Sequence, residues 1–240
     1  MMQRWMAIGM ALVVGAGTMD AEELTADAIV AKANEASYYA GQDGSAKVSM
    51  QLSDGRTREF TILRRNADTG MEQKFYVYFT APADVRKMAY LVHKRPGGND
   101  DRWLFLPALN LVKRIAPGDK RTSFVGSDFL YEDVSGRSLT EDEHALVDET
   151  ETQYVIENTP KDPDSVEFAS YTVWIDKDTY LPRKAEYLNQ NGELYRRVVA
   201  EKVETIQGYP TVMQSYVEDL AAGTKTVNTF TDVQYDIGLK

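Results

Sequence analysis

The chain has 240 residues, 43% of them hydrophobic, and a net charge of −10, which gives enough apolar mass to bury a core and excludes an acidic disordered chain. The acidic balance argues against nucleic acid and against nonspecific attachment to anionic lipid. There is no Cys and there are only two His, so thiol catalysis, disulfides, cysteine-bound metals and a three-histidine zinc site are excluded.

In chain order, Arg4 leads an apolar run from Trp5 to Val14, followed by small residues Gly15, Ala16 and Gly17 and then Ala21. This pattern reads as a secretory signal peptide over residues 1–21, with cleavage after Ala21 or after Gly17. The run is too short to span a bilayer. Removal of Arg4 and Asp20 leaves the charge of −10 unchanged. Residues 22–240 are expected to form one domain. Thr25 followed by "ADAIVAKANEAS" predicts an amphipathic helix with Thr25 as N-cap and Ile29, Ala33 and Ala36 at helical spacing.

Strand patterns dominate thereafter: 46–52, 58–65, 73–80, 88–94, 101–107 and 110–115, then 152–159, 167–176, 182–189, 193–203, 210–219 and 225–236. Asp54-Gly55 and Asn191-Gly192 are hairpin signals. In 73–106 both strand faces are apolar or aromatic, with Phe75, Val77 and Phe79 opposite Tyr76 and Tyr78, and Trp103 and Phe105 opposite Leu104 and Leu106. That predicts a curled sheet whose second face is covered by a helix, a flap or a ligand.

Little in the chain carries catalytic chemistry. His93 ends a strand, and His144 follows a Ser138–Glu141 capping box. No glycine-rich phosphate loop and no nucleophile elbow is present. Neighbouring carboxylates such as Glu132-Asp133 point to opposite faces of a strand and make poor acid/base pairs. No metal site is expected. Lys113, Arg114, Lys120 and Arg121 cluster in "VKRIAPGDKRTS", either as a solvated strand end or as a patch that meets an acidic partner or lipid head group.

The stretch "FVGSDFLYEDVSG" (124–136) combines aromatics, acids and glycines. Ser127 as N-cap and Gly136 as stop predict a short helix over 128–134, with Phe129, Leu130 and Val134 on one side and Glu132 facing outward. It reads as an amphipathic plug or as a helical corner sealing the core.

The block "DRWLFLPALNLVKRI" (101–115) followed by "FVGSDFLYEDVSG", together with "YVIENTPK" (154–161) and "YTVWIDKDTYLPRKAEY" (171–187), resembles the outer membrane lipoprotein-sorting protein family, relatives of the periplasmic lipoprotein carrier LolA. The resemblance implies a mainly β fold: a half-open antiparallel β-barrel with an N-terminal helix and a short lid helix covering its apolar concave face. It also implies a periplasmic location, no cofactor, acyl chains of lipid or lipoprotein as ligand, transient membrane contact, and a permease of the resistance-nodulation-division type as partner. The carrier's cavity arginine has no matched position here. On this reading Phe75, Val77, Phe79, Trp103, Phe105 and Trp174 line the cavity, and Phe129, Leu130 and Val134 form the lid. A lipid-sensing or protein-interaction module of the envelope, and a hydrolase using Asp128, Glu132 and Asp133, are the alternatives.

Overall fold

The computed structural model describes residues 24–240; the signal-peptide expectation for 1–21 falls outside them. The Thr25 hydroxyl accepts from the Ala28 N–H at 3.3 Å and caps α1 (Ala26–Tyr38), which buries Ile29 and Ala33. A first meander follows: β1 (Asp43–Gln51), β2 (Thr57–Asn66), β3 (Gln73–Ala81), β4 (Ala89–Lys94), β5 (Asp101–Leu106) and β6 (Leu111–Ile115). After a long connection comes a second: β7 (Asp142–Glu149), β8 (Gln153–Pro160), β9 (Phe168–Asp176), β10 (Pro182–Asn189), β11 (Leu194–Ile206), β12 (Tyr209–Asp219) and β13 (Thr224–Tyr235).

All thirteen strands form one antiparallel sheet in the order β6-β5-β4-β3-β2-β1-β13-β12-β11-β10-β9-β8-β7. The two meanders meet at its centre, where β1 pairs β13 and Gln51 lies opposite Val227. At this seam Asp232 and Val233 together oppose the single Ala46, a β-bulge with Asp232 at φ 51°. The bulge moves Val233 onto the same lining as Phe230, whereas the sequence alternation puts them on opposite faces. Below the bulge the Asp43 carboxylate, buried, accepts the Ile237 and Leu239 N–H groups at 2.7 and 2.6 Å and ties the C-terminal tail across. The outer strands β6 and β7 do not pair, so the sheet is a half-open barrel of the expected class, not a closed one.

Residues 116–141 carry the chain from one free edge to the other. They cross the concave face, because Phe124 and Tyr131 pack into the same cluster as Phe60, Phe79, Tyr90 and Leu104 of the first meander. Phe124 is the hub, with ring centroids 5.4 Å from Tyr90, 5.5 Å from Tyr131 and 5.9 Å from Phe79.

Three expectations are corrected here. Residues 142–149 form a strand, β7, where the sequence offered only a capping box; Ser138 makes no side-chain cap and opens a single 3-10 turn. As an edge strand exposed along most of its length, β7 lacks the alternation that marks a half-buried one. The second face of β3–β5 is not covered by any described residue: Tyr76, Tyr78 and Leu91 lie exposed on it. The 128–134 helix is absent apart from a 3-10 turn at Glu132–Val134. Its backbone is claimed elsewhere, with the Phe124 N–H bonded to the Phe129 carbonyl at 2.7 Å and the Leu130 N–H donating to the Asp133 carboxylate at 2.7 Å.

Phe79→Ala is expected to cost about 3–5 kcal/mol in urea denaturation, since Phe79 is fully enclosed. Tyr78→Ala, one residue earlier and facing outward, should cost less than about 1 kcal/mol.

Candidate functional site

The concave face is only partly filled. Over the first meander the crossing segment fills it; over β7–β9, α1 does so, with Ile29 and Ala33 against Ile156 and Ile175. Between them remains a cavity of about 530 Å³. Its floor is built mainly from small aliphatic side chains of the second meander, among them Val173, Ala185, Val198 and Ala200, and its roof from Phe129 and Val134 of the crossing segment and Tyr38 of α1. Small residues on facing strands leave the room that aromatics elsewhere occupy.

Gly136 lets the roof close: at φ 75° it sits so near Tyr38 that a Cβ would lie 2.6 Å from the ring. Arg64 borders the cavity and meets carbonyls, not a carboxylate. Its guanidinium donates to the carbonyls of Tyr38 at 2.8 Å, Gly41 at 3.2 Å and Ala40, and to Asn66 Oδ1 at 2.7 Å. The Tyr38 carbonyl ends α1, where partial negative charge gathers, and those of Ala40 and Gly41 follow it. Burial pulls the Arg64 guanidinium below its ordinary pKa.

The rim toward the second meander is ionic. Glu132 is buried, with Arg121 Nη1 at 2.6 Å, Lys120 Nζ at 3.0 Å without hydrogen-bond alignment, and Arg137 Nη1 at 3.5 Å. From these cations the network reaches Glu141 (2.6 Å from Lys120), Asp142 (2.8 Å from Arg137) and Glu167 (2.7 Å from Arg121). Arg196 of β11 adds a 2.6 Å pair with Asp133. The Arg121 guanidinium also lies 4.7 Å over the Phe168 ring. Burial alone would raise the Glu132 carboxyl, but Arg121, Lys120 and Arg137 outweigh it and hold the group below the ordinary value of 4.5.

The expected site residues divide accordingly. Phe75 and Val77 border the cavity, as do Phe129 and Val134. Phe79 lies beneath the lining, enclosed in the aromatic core. Trp103 and Phe105 are on the opposite face, paired with Arg114 and Val112 of β6; Trp174 is also outside the lining, with the Lys184 ammonium 3.5 Å over its ring. Leu130 is not in the lining and bridges to Ser123 instead. The four basic residues do not gather in one patch. Lys113 is exposed and Arg114 pairs with Asp101, whereas Lys120 and Arg121 belong to the internal network. Glu132, expected outward, is its centre.

Sequence reasoning missed Tyr38, Arg64, Arg137, Arg196 and the Ala185/Ala200 floor. Arg196 and Asp133, and Arg64 and the carbonyls it meets, stand far apart in the chain, which no local spacing reports. The two alanines inside otherwise bulky strands were the available signal. His93 lies 3.0 Å from Glu72, and His144 lies 2.7 Å from Asn158 Oδ1 and 3.1 Å from the Leu139 carbonyl.

Because Glu132 is depressed, the stability it contributes is present above about pH 4.5 and is lost as pH falls below it. Glu132→Gln, which removes the buried charge shared by three cations and leaves them only Glu141, Asp142 and Glu167, is expected to cost about 3–5 kcal/mol near neutral pH. Thermal melts from pH 7 to pH 3 should show a flatter acid limb for this variant than for the parent.

No curated protein matches the chain. Among solved structures, a DUF1329 family protein from Desulfovibrio piger is 28% identical, with 90% of this chain and 93% of that one covered and a TM-score of 0.82. A putative outer membrane lipoprotein-sorting protein domain from Vibrio parahaemolyticus is 27% identical over 90% and 94% of the two chains, with a TM-score of 0.80. A LolA superfamily protein from Nitrosomonas europaea shares the fold at 21% identity, 90% and 95% coverage and a TM-score of 0.66. A family model described as "Uncharacterized protein" matches residues 71–240. A half-open thirteen-stranded sheet, a helix and a crossing segment over a shared apolar hollow are thus the LolA-like fold, and the chain belongs to the family whose model matches residues 71–240.

Proposed function

We propose that the protein is a noncatalytic periplasmic carrier that shelters an acyl chain of a lipid or lipoprotein and moves it between membranes, in partnership with a permease of the resistance-nodulation-division type. The observation that carries this reading is the apolar cavity of about 530 Å³ left open between α1, the crossing segment and the second meander. Its size falls within the range of small-molecule sites. An acyl chain is a ligand of the kind such an apolar space takes. Each buried methylene contributes about 0.8 kcal/mol, so sheltering alone supplies the affinity.

The carboxylates argue in the same direction. Asp128 accepts from Thr224 and Thr226 at 2.6 Å each, Glu132 from Arg121, and Asp133 from Arg196. Each of these groups is engaged by a partner that holds the fold together, which accounts for its place in the structure without acid/base work. Phe129 and Val134 serve as the cover, and access requires the crossing segment to shift from the floor.

Native mass spectrometry of protein expressed to the periplasm is expected to show one single-chain equivalent of lipid per molecule. Ala200→Trp, which fills the floor, should cut that occupancy severalfold while leaving the melting temperature within a few degrees. Phe129→Ser should speed release of a fluorescent fatty-acid analogue. Absence of co-purified lipid together with no binding of the analogue would remove the basis of the reading.

A further inference from the structure

The overall charge of −10 conceals a basic end. Residues 73–115 contain eight Lys and Arg against three Asp, a net +5, leaving −15 for the rest. Six of those cations are exposed, namely Lys74, Arg86, Lys87, Arg95, Lys113 and Arg114, against one exposed carboxylate, Asp84. Asp101, half-buried, is shared between Arg95 at 2.8 Å and Arg114 at 2.6 Å. Lys74, Arg86, Lys87 and Lys113 make no ion pair among the described residues.

The same region presents the most exposed apolar side chains. At the β5–β6 turn Leu109 is 70% exposed, Val112 61% and Leu111 46%. Behind them, on the outer face, Trp103 and Phe105 stand in register with Leu91 and Ala89. That pairing also places the β3–β4 turn, with Arg86 and Lys87, at the same end of the sheet as the β5–β6 turn, roughly 10 Å away by strand spacing.

From this we infer that the β5–β6 hairpin is a docking device for an anionic lipid bilayer: its apolar tip enters the head-group layer while Arg86, Lys87, Lys113 and Arg114 meet lipid phosphates. The geometry favours a bilayer over a protein. Leu111 and Val112 are successive residues on opposite faces of an edge strand, and both are bare. A protein partner covers one face, whereas a fluid apolar medium surrounds both. Trp and Tyr beside such a tip suit the membrane–water interface, and long cationic side chains reach from it to phosphate. No helix among the described residues is long and apolar enough to cross a membrane, so the contact is peripheral. None of these residues borders the cavity, and the inference stands apart from the carrier reading.

The chain has no Cys, so Ala108→Cys gives a single attachment point for an environment-sensitive fluorophore at the tip. Vesicles of phosphatidylethanolamine with phosphatidylglycerol are expected to raise and blue-shift its emission and to co-sediment the protein; phosphatidylcholine vesicles are not. Lys113→Gln with Arg114→Gln should weaken co-sedimentation by about tenfold or more, as should Leu109→Ser with Val112→Ser. Both pairs should leave the melting temperature and the co-purified lipid unchanged, which separates this test from that of the carrier reading. No binding to the anionic vesicles overturns the assignment and leaves an acidic protein as the partner this end fits. Binding that survives both pairs of substitutions overturns it as well.

Discussion

A curled sheet with an apolar inner face has to be covered, and here one stretch of chain does most of the covering. Residues 116–141 must run from β6 to β7 because these are the two free edges, and the route lies across the hollow. The segment is fastened by different physics on its two sides. Toward the first meander it presents Phe124 and Tyr131 to a dry aromatic cluster. Toward the second it presents Arg121, Arg137 and Asp133 to Glu167, Asp142 and Arg196, while Glu132 ties the segment's own cations together. The cavity exists because the second fastening holds the segment by its rim and leaves the floor untouched.

The choice of charge for one side has a physical reading. An aromatic plug over the second meander would fill the hollow, and close packing leaves no reversible vacancy. Ion pairs hold two surfaces in register across polar atoms without occupying the space beyond them. They are weak evidence for stability as such, because desolvation offsets much of the attraction. Their contribution here is positional: Glu132 gathers cations of its own segment, and Arg121 and Arg137 reach on to Glu167 and Asp142, so displacing the segment strands both of those buried cations at once.

The architecture was legible in the sequence to the extent that it is local. Twelve of the strands announce themselves by alternation and by turn residues such as Asp54-Gly55 and Asn191-Gly192, and Thr25 announces α1. β7 escaped because an exposed edge needs no apolar face. The lining was harder to read. Large aromatics look like a ligand site in a sequence, yet Phe79 is core and Trp103, Phe105 and Trp174 lie on the other side of the sheet, while Ala185 and Ala200 make the room. Residues 124–136 misled for a related reason. Capping residues at helical spacing were present, but Asp128 is drawn to Thr224 and Thr226 and Asp133 to Arg196. Partners that distant in the chain leave no periodicity behind them.

The central seam has a consequence for how the molecule comes into being. β1 and β13 are nearly the whole chain apart, yet they are neighbours at the middle of the sheet, and Asp43 clasps the tail at Ile237 and Leu239. A chain emerging from its N-terminus can form each hairpin as it appears. It cannot join the two meanders until the last strand is free. The inner face of the first half must therefore wait, uncovered on one flank, while the rest is made, and closing so long a loop is entropically slow. Such a protein has a long adolescence in which its greasiest surface is public, and the period ends only when its two ends find each other.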